Sequence, residues 1–519
     1  MNLPGIRHRR AARFQGVLLL LTFVALPSAG QPAFLSSPRL GGTAGGSSQP
    51  PSNSVSHVAV AGDTVWIGTS KGLARTLDLG ASWESFRGVP QFARNGIFSV
   101  ALRGDTVWTS TGYSQQLEEN SVQTGTGYTT STDAGRTWNQ LPQTLDAPSD
   151  SLVPYGANTV YFLPVTVDEQ NVTFDIALAR GTVWIASWSS GIRRSTDQGH
   201  TWIRTVLPDD GRNSIAPADS LGRYTVDPRR NNNFLGFSVY AQTDSIIWAG
   251  TAGGINRSTD GGISWVKSTT RNQQSPILAN WIIAIEGQRL DSVTRVWCTN
   301  WVTGVQGEQF GVSFTDDGGR IWRTALHGVK AYDFAFRGDV VYVAGDQGVY
   351  RSSDAGASWV RSGSIVDRRT GAALTTGSAF AVGVSGDTVF CATGDGIART
   401  VDRPGEPFGT TWDVLRASQP LPGPGSTYAY PNPFSPDDEV VRIRYAAPSG
   451  GGITIEIFDA GMNRVRTLLK DAARSGPAEF DEIWDGRDDG GTQVSNGVYF
   501  YRVIAGGGDA AWGKILVLQ

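Results

Sequence analysis

The sequence predicts an all-β protein: a seven-bladed β-propeller followed by a small Ig-like β-sandwich. Three observations carry this expectation. A short box recurs seven times, short apolar strands alternate with tight turns around each copy, and near Tyr428 the repeat gives way to a different strand pattern. At 519 residues the chain is also too long for one ordinary domain.

The clearest box is Ser258-Thr259-Asp260-Gly261-Gly262-Ile263-Ser264-Trp265. Five more run from Thr76 to Trp83, Ser131 to Trp138, Ser195 to Trp202, Thr315 to Trp322 and Ser352 to Trp359, and a seventh, from Thr400 to Trp412, is stretched between Asp402 and Gly409. Their aspartates are Asp78, Asp133, Asp197, Asp260, Asp317, Asp354 and Asp402. A carboxylate in a turn accepts backbone N–H bonds, a glycine permits positive φ, and a Trp fills the space between packed sheets. The box is therefore read as a structural device rather than as seven catalytic or metal sites.

Each box ends a unit of about four strands, at a period near ~50 residues. The first reads Val58 to Gly68, broken by Gly62-Asp63, then Gly72 to Thr76 and the box. The Gly-Asp turn recurs at Gly104-Asp105, Gly338-Asp339 and Gly386-Asp387, and the strand after each turn carries Trp66, Trp108, Trp184, Trp248, Trp297, Tyr342 or Phe390. Four-stranded sheets cannot bury both faces alone, whereas radial stacking buries them and leaves short edges.

Residues 1–30 read as a signal peptide: Arg7, Arg9, Arg10 and Arg13 precede an apolar run, Val17 to Leu26, and the small residues Ser28-Ala29-Gly30. The run is too short to span a bilayer, so no membrane span is expected after its removal. The flanks of Arg9-Arg10 fit a twin-arginine signal poorly, and no Cys near the cleavage site suggests a lipid anchor. Residues 31–54 form a flexible leader, 55–415 the propeller, 416–427 a linker and 428–519 the C-terminal module. The formal charge of −3 gives no nucleic-acid footprint. Cys298 and Cys391, in non-neighbouring units, are expected to be buried and unbridged.

The boxes resemble the Asp-box (BNR) repeat of sialidases, sortilin-type receptors and photosystem assembly factors. The resemblance covers all seven units and implies the propeller. It does not assign a function, since that repeat serves enzymes and non-enzymes alike. The C-terminal module resembles the FlgD-like Ig domain and the related type IX secretion sorting domain through Tyr430-Pro431-Asn432-Pro433-Phe434, Ile457-Phe458-Asp459, Gly461, Trp484-Asp485-Gly486, Asp488, Gly491, Gly497-Val498-Tyr499-Phe500-Tyr501 and Lys514-Ile515-Leu516-Val517-Leu518. This resemblance implies an exported protein of a Gram-negative-type bacterium, secreted or held at the cell surface, with the periplasm as the alternative. It also implies outer-membrane secretion machinery as a partner. The usual sorting domain lacks the Trp-Asp-Gly segment, so a sorting signal and a purely structural cap both stay open.

No catalytic residue, metal ligand or cofactor site emerges. Gly68-Thr69-Ser70-Lys71-Gly72 satisfies G-x-S-x-G but joins two strands, not a strand and a helix. Beyond the leader the histidines are His57, His200 and His327, none at ligand spacing. The Arg-Ile-Pro signature of sialidases is missing, and among so many turn aspartates no carboxylate pair of the glucanase kind is singled out. Trp484 to Gly491 is read as a turn rather than a calcium loop.

A ligand is expected on the face opposite the boxes. The long segments Tyr113 to Gly127, Pro142 to Thr173, Pro208 to Leu235 and Val302 to Phe310 are all placed there, and binding favours such loops on a rigid scaffold. Trp188, Trp301 and Tyr113 are expected on that rim. His57, Ser99, Asp175, Ser238 and Asp333 precede the apolar runs of innermost strands and are expected to face the axial channel. The blander alternatives are aromatics that only cap the blade core and a channel filled only with water. The function expected is non-enzymatic binding of an extracellular protein or glycan, with a glycan-directed hydrolase and an assembly factor for an exported complex as alternatives.

Overall fold

The Gly62-Asp63 turn, with Gly62 at φ +60°, folds Val55–Ala61 back on Thr64–Thr69, and Gly72–Thr76 and Glu84–Ser85 complete a four-stranded antiparallel meander. A computed structural model describes residues 49–518, apart from 87–88, 90–91, 93–94, 118–119, 370, 372, 375–376, 418–420, 422, 424, 431, 437–439, 448–450 and 475–477. The expected signal peptide and most of the leader lie outside the described residues.

Six further sheets repeat the meander, and the molecule is a β-propeller. The innermost strands are Val55–Ala61 in sheet I, Gly96–Arg103 in II, Thr173–Ala179 in III, Gly236–Ala241 in IV, Ile285–Arg289 in V, Ala331–Arg337 in VI and Ala381–Ser385 in VII. Six sheets have four strands; sheet IV gains a fifth, Ser214–Ile215, paired with Trp265–Ser268. Among the described residues the ring closes from VII to I without a strand exchanged. Ser385 Oγ donates to Gly62 O at 3.1 Å, Gly396 N donates to Asn53 O at 2.6 Å, and Trp83 shares a core with Phe390 and Leu415.

Two of the long segments run down the outer wall instead of staying on the face opposite the boxes. Leu152–Tyr155 and Asn158–Phe162 form a hairpin that pairs in parallel with Thr225–Val226. Asp146 bonds Arg193 beside the second-to-third turn of sheet III, while Tyr155 Oη donates to Ile263 O inside a box. The segments 142–173 and 208–235 thus reach both faces, which corrects the single-face expectation. The cause is hydrophobic: Tyr155, Val160, Phe162, Leu221, Tyr224 and Phe234 bury themselves against sheets III and IV.

The boxes form the expected turns. Asp78 accepts Ser82 N–H at 2.8 Å and the hydroxyls of Ser82 and Thr76; Asp133, Asp197, Asp260 and Asp354 repeat the arrangement, and Asp317 uses the N–H groups of Arg320 and Ile321. Asp402 differs. It is buried, pairs with Arg337 and Arg351, and accepts Tyr342 Oη at 2.5 Å, so it ties sheet VII to sheet VI instead of capping its own turn. The insertion between Asp402 and Gly409 removes the close turn that a box carboxylate would cap. Cys298 and Cys391 are free and buried, and burial pushes both thiols up.

A second unit comprises Ala417–Gln519 together with the short segment Arg368–Ala372. Thr427–Tyr430, Val441–Ala447 and Ala478–Trp484 form one antiparallel sheet; Gly452–Phe458, Arg464–Ala473, Gly497–Ala505 and Ala511–Val517 form the other. Phe434, Trp484, Tyr501 and Ile515 fill the space between them, with Phe434 and Trp484 rings 5.7 Å apart. Asp488 accepts N–H bonds from Gly490 and Thr492, so the Trp484 to Gly491 segment is a turn.

Candidate ligand-binding site

Five innermost strands are bulged near their starts. The register slips between Val55 and His57, Ile97 and Ser99, Thr173 and Asp175, Gly236 and Ser238, and Ala331 and Asp333. A bulge places two residues opposite one and re-aims a side chain. The residues so displaced are Ser56, Phe98, Phe174, Phe237 and Tyr332. With Trp281 and Phe380 they line an axial cavity of about 310 Å³.

The rings form a collar. Phe98, Phe174, Phe237 and Trp281 follow one another at centroid separations of 6.4, 6.0 and 5.9 Å, and Trp301, Tyr332 and Phe380 continue the arc at 5.3 and 5.8 Å. Phe174, Trp281, Tyr332 and Phe380 are only half-buried. The collar lies at the strand ends that adjoin the second-to-third turns, as the pairing of Val55 with Thr69 shows, and so opposite the boxes. Trp188 packs on Phe237 at 5.1 Å and is half-buried.

One residue further along, polar groups face the same cavity. His57, Ser99, Asp175 and Asp333 line it as expected, joined by Glu286. Asp175 accepts N–H bonds from Ile176 at 2.8 Å and from Val239 of the next sheet at 2.9 Å; Asp333 accepts that of Val382, also of the next sheet, at 3.0 Å. Desolvation pushes both carboxyls up to about 7; Glu286 is exposed to the open channel, and the density of protein around that channel together with the charges of Asp333 and Asp175 raises it above the usual range. The same desolvation lowers His57 to about 4, so it is neutral at pH 7.

Three expected site residues are placed differently. Ser238 does not line the cavity; it is buried and its hydroxyl donates to Ile282 O of the next sheet at 3.0 Å. Trp301 lines the cavity wall but is no exposed rim residue. It is 2% exposed and its indole N–H donates to Ala331 O at 2.7 Å, because the adjacent sheet closes over it. Tyr113 is half-buried in a separate recess with Gln143 and Asp168, carried outward by the long hairpin Thr106–Leu117 and Asn120–Ser131.

Glu286 and the collar were not expected from the sequence. Glu286 pairs across from Trp297, the position that Ala59, Ala101, Ala177, Ala335, Gly383 and Tyr240 hold in other sheets, so no acid marks that register elsewhere. The collar did leave a signal, an aromatic immediately before each polar candidate in Phe98-Ser99, Phe174-Asp175, Phe237-Ser238 and Tyr332-Asp333.

Among the described residues no group of three or more His, Cys, Asp or Glu is arranged to hold a metal ion. The geometry suits binding: apolar rings at the mouth, hydrogen-bonding and acidic groups within, and the size range of small-molecule pockets.

Fold and cavity together define a β-propeller protein with an axial pocket of ligand size. Among solved structures the chain is similar to a GH74 enzyme from Niastella koreensis, at 14% identity and a TM-score of 0.51 over 92% of this chain and 75% of that one. It is also similar to YCF48 from Cyanidioschyzon merolae (18% identity, TM-score 0.42, 69% and 98% covered) and to PorZ, a surface component of the type-IX secretion system of Porphyromonas gingivalis (14% identity, TM-score 0.35, 90% and 66% covered). At these identities the likeness is one of fold. No protein-family model and no curated protein sequence matches the chain.

Proposed function

We propose that this is an exported binding protein of a Gram-negative-type bacterium, non-enzymatic, which takes its ligand through the propeller face opposite the boxes. The observation that carries the reading is the collar of half-buried rings over a cavity of about 310 Å³. Rings left partly uncovered in a concave site offer apolar area to a ligand at little cost in conformational entropy. The charged, apolar and small-residue regions of residues 1–30 support export, and the strand pattern from Tyr430 to Leu518 supports a role for the second unit in sorting or capping. The ligand class expected is an extracellular protein or glycan, or a group carried by one.

A glycan-directed hydrolase is the second reading, favoured by the acidic groups Asp175, Glu286 and Asp333 in one cavity. Against it, Asp175 and Asp333 already accept backbone N–H bonds from neighbouring sheets, which suits a structural staple better than a nucleophile. A screen of the mature protein against glycans and bacterial surface proteins tests the proposal. Phe174→Ala and Trp281→Ala, at half-buried rings, should each weaken a hit about tenfold or more, in line with loss of an aromatic anchor. Undiminished binding by the double variant would remove the site, and glycan cleavage lost in Asp175→Asn would replace binding by hydrolysis.

A further inference from the structure

The cavity combines two features that select the same kind of guest. Its mouth is ringed by π faces, and its interior holds Asp175, Glu286 and Asp333. Among the described residues none of these three carboxyls takes part in an ion pair, although most buried acids elsewhere in the propeller do, as Asp146 does with Arg193 and Asp402 with Arg351. Asp175 and Asp333 are half-buried and Glu286 is exposed to the channel, and like charges gathered around one channel without a counter-charge oppose one another's ionisation.

The rings already display the matching contact. Lys330 Nζ lies 4.4 Å from the centroid of Trp301 at the cavity wall, a cation on an aromatic face. Lys330 lines the same cavity, but among the described residues it forms no ion pair with the three interior acids, and Asp346, whose charge acts on it, lies outside the lining. The other basic group of the lining, His57, carries no charge at neutral pH. Phe174, Trp281 and Tyr332, half-buried on the cavity wall, therefore present π faces with no cation of the protein recorded on them among the described residues.

We propose that the axial cavity binds an organic cation, an alkylammonium or quaternary ammonium group, held by the half-buried rings Phe174 and Trp281 of the collar with Glu286, the acid most open to the channel, as its principal counter-charge. This rests on the cavity being the ligand site. A neutral sugar would use the rings and could donate hydroxyl hydrogen bonds to the acids, but it would bring no counter-charge to them; an inorganic cation would use the acids but not the rings.

The test is calorimetric titration of the full mature protein with three probes: choline, its neutral isostere 3,3-dimethyl-1-butanol, and Nα-acetyl-lysine amide, which presents the same charge as a protein side chain would. Choline or the lysine derivative should bind at least about tenfold more tightly than the neutral isostere. Whichever of the two is preferred identifies a free amine or a side chain as the source. Glu286→Gln should lose about tenfold for the cation and leave the isostere unchanged, with an unaltered thermal melt showing that the variant folds. Equal binding of choline and its isostere, or no binding of either cation at millimolar concentration, overturns the inference. The screen described above still stands in that case, because collar variants that lose some other ligand would keep the binding reading while refuting the cationic one.

Discussion

Trp184 of sheet III occupies the space that a side chain at Gly262 of sheet IV would need: a Cβ there would lie 2.2 Å from Trp184 Cη2. The box Trp that follows, Trp265, meets Trp184 edge-on at 6.3 Å. Around the ring the same pairing recurs as Trp66 with Trp138, Trp108 with Trp202, Trp248 with Trp322 and Trp297 with Trp359. An arginine of the third strand completes the joint, as Arg194 lies over Trp184 and donates to Gly261 O at 2.7 Å. The repeated motif is thus a seam between successive sheets, and this gives the box glycine a steric reason beyond its turn.

Gly262→Ala should destabilise the propeller by about 2–4 kcal/mol, the cost of left-handed backbone plus overpacking. Gly181→Ala is the control: Gly181 also has positive φ, at +73°, but nothing lies within 4 Å of a Cβ there. It should cost only about 1 kcal/mol. Urea denaturation of both variants checks this, and equal losses would show that Trp184 yields without penalty.

Asp146 and Arg193 form a bidentate pair at 2.8 and 2.9 Å with both side chains 3% exposed. Burial works to raise the Asp146 carboxyl, but the bonds and charge of Arg193 outweigh it and hold the pKa below the ordinary value. Asp146→Ala leaves a buried guanidinium and should cost about 3–5 kcal/mol. The exposed pair Arg403 and Glu406, 3.7 Å apart, should lose less than about 1 kcal/mol when Glu406 is replaced by Ala. The comparison of denaturation midpoints tells whether the outer-wall segment is anchored by this pair.

The channel acids and the box acids should respond to pH in opposite directions. Asp78, Asp133, Asp197 and Asp354 are held at about 2, chiefly by hydroxyl and N–H donors in their turns, so their contribution is present above the unfolded value and is lost as pH falls towards 2. Asp175 and Asp333 are raised to about 7, so the folded protein binds the extra protons and stability declines as pH rises from about 4 to about 7. Asp175→Asn keeps an oxygen for Val239 N–H and removes a charge facing Glu286, Asp333 and His57. The variant should be about 1–2 kcal/mol more stable than the parent at pH 8 and no more stable at pH 4. Thermal melts at the two pH values decide it; a variant less stable at pH 8 would mean that Asp175 is needed as an anion.

Much of this architecture is legible in one sequence because the boxes and Gly-Asp turns are local and recur. Ser131 to Trp138 and Ser352 to Trp359 specify the same turn wherever they stand. What depends on a contact with another unit of the chain is not legible in that way. Period-two reasoning carries Ser238 towards the axis, but its short side chain is turned aside to bond Ile282 O of the next sheet, whereas Ser99, Asp175 and Asp333, beside the same kind of bulge, line the cavity. Trp301 and Trp188 follow equivalent strands at the same spacing, yet the wall beside Trp301 closes through Ala331, a contact set by a different unit of the chain. The parallel pairing of Asn158–Phe162 with Thr225–Val226 joins segments more than sixty residues apart, and no local pattern announces it.

That difference between two tryptophans gives the sharpest separation of framework from site. Trp301 is enclosed, bonded through its indole N–H and stacked edge-on with Tyr332 at 5.3 Å, so Trp301→Ala removes a filled volume and a buried hydrogen bond together. It should cost about 3–5 kcal/mol. Any loss of binding in that variant would be inseparable from loss of structure. Trp188 is half-buried and has Phe237 as its ring neighbour. Trp188→Ala should lower stability by no more than about 1–2 kcal/mol, because solvent already reaches one side of the ring. If the collar is where a ligand enters, the same substitution should weaken binding by about tenfold, since Phe237 then loses the wall that holds its orientation. Melting temperature and affinity measured on both variants separate the roles: a Trp188→Ala protein that binds as before would confine the site to the cavity's far arc, around Tyr332 and Phe380.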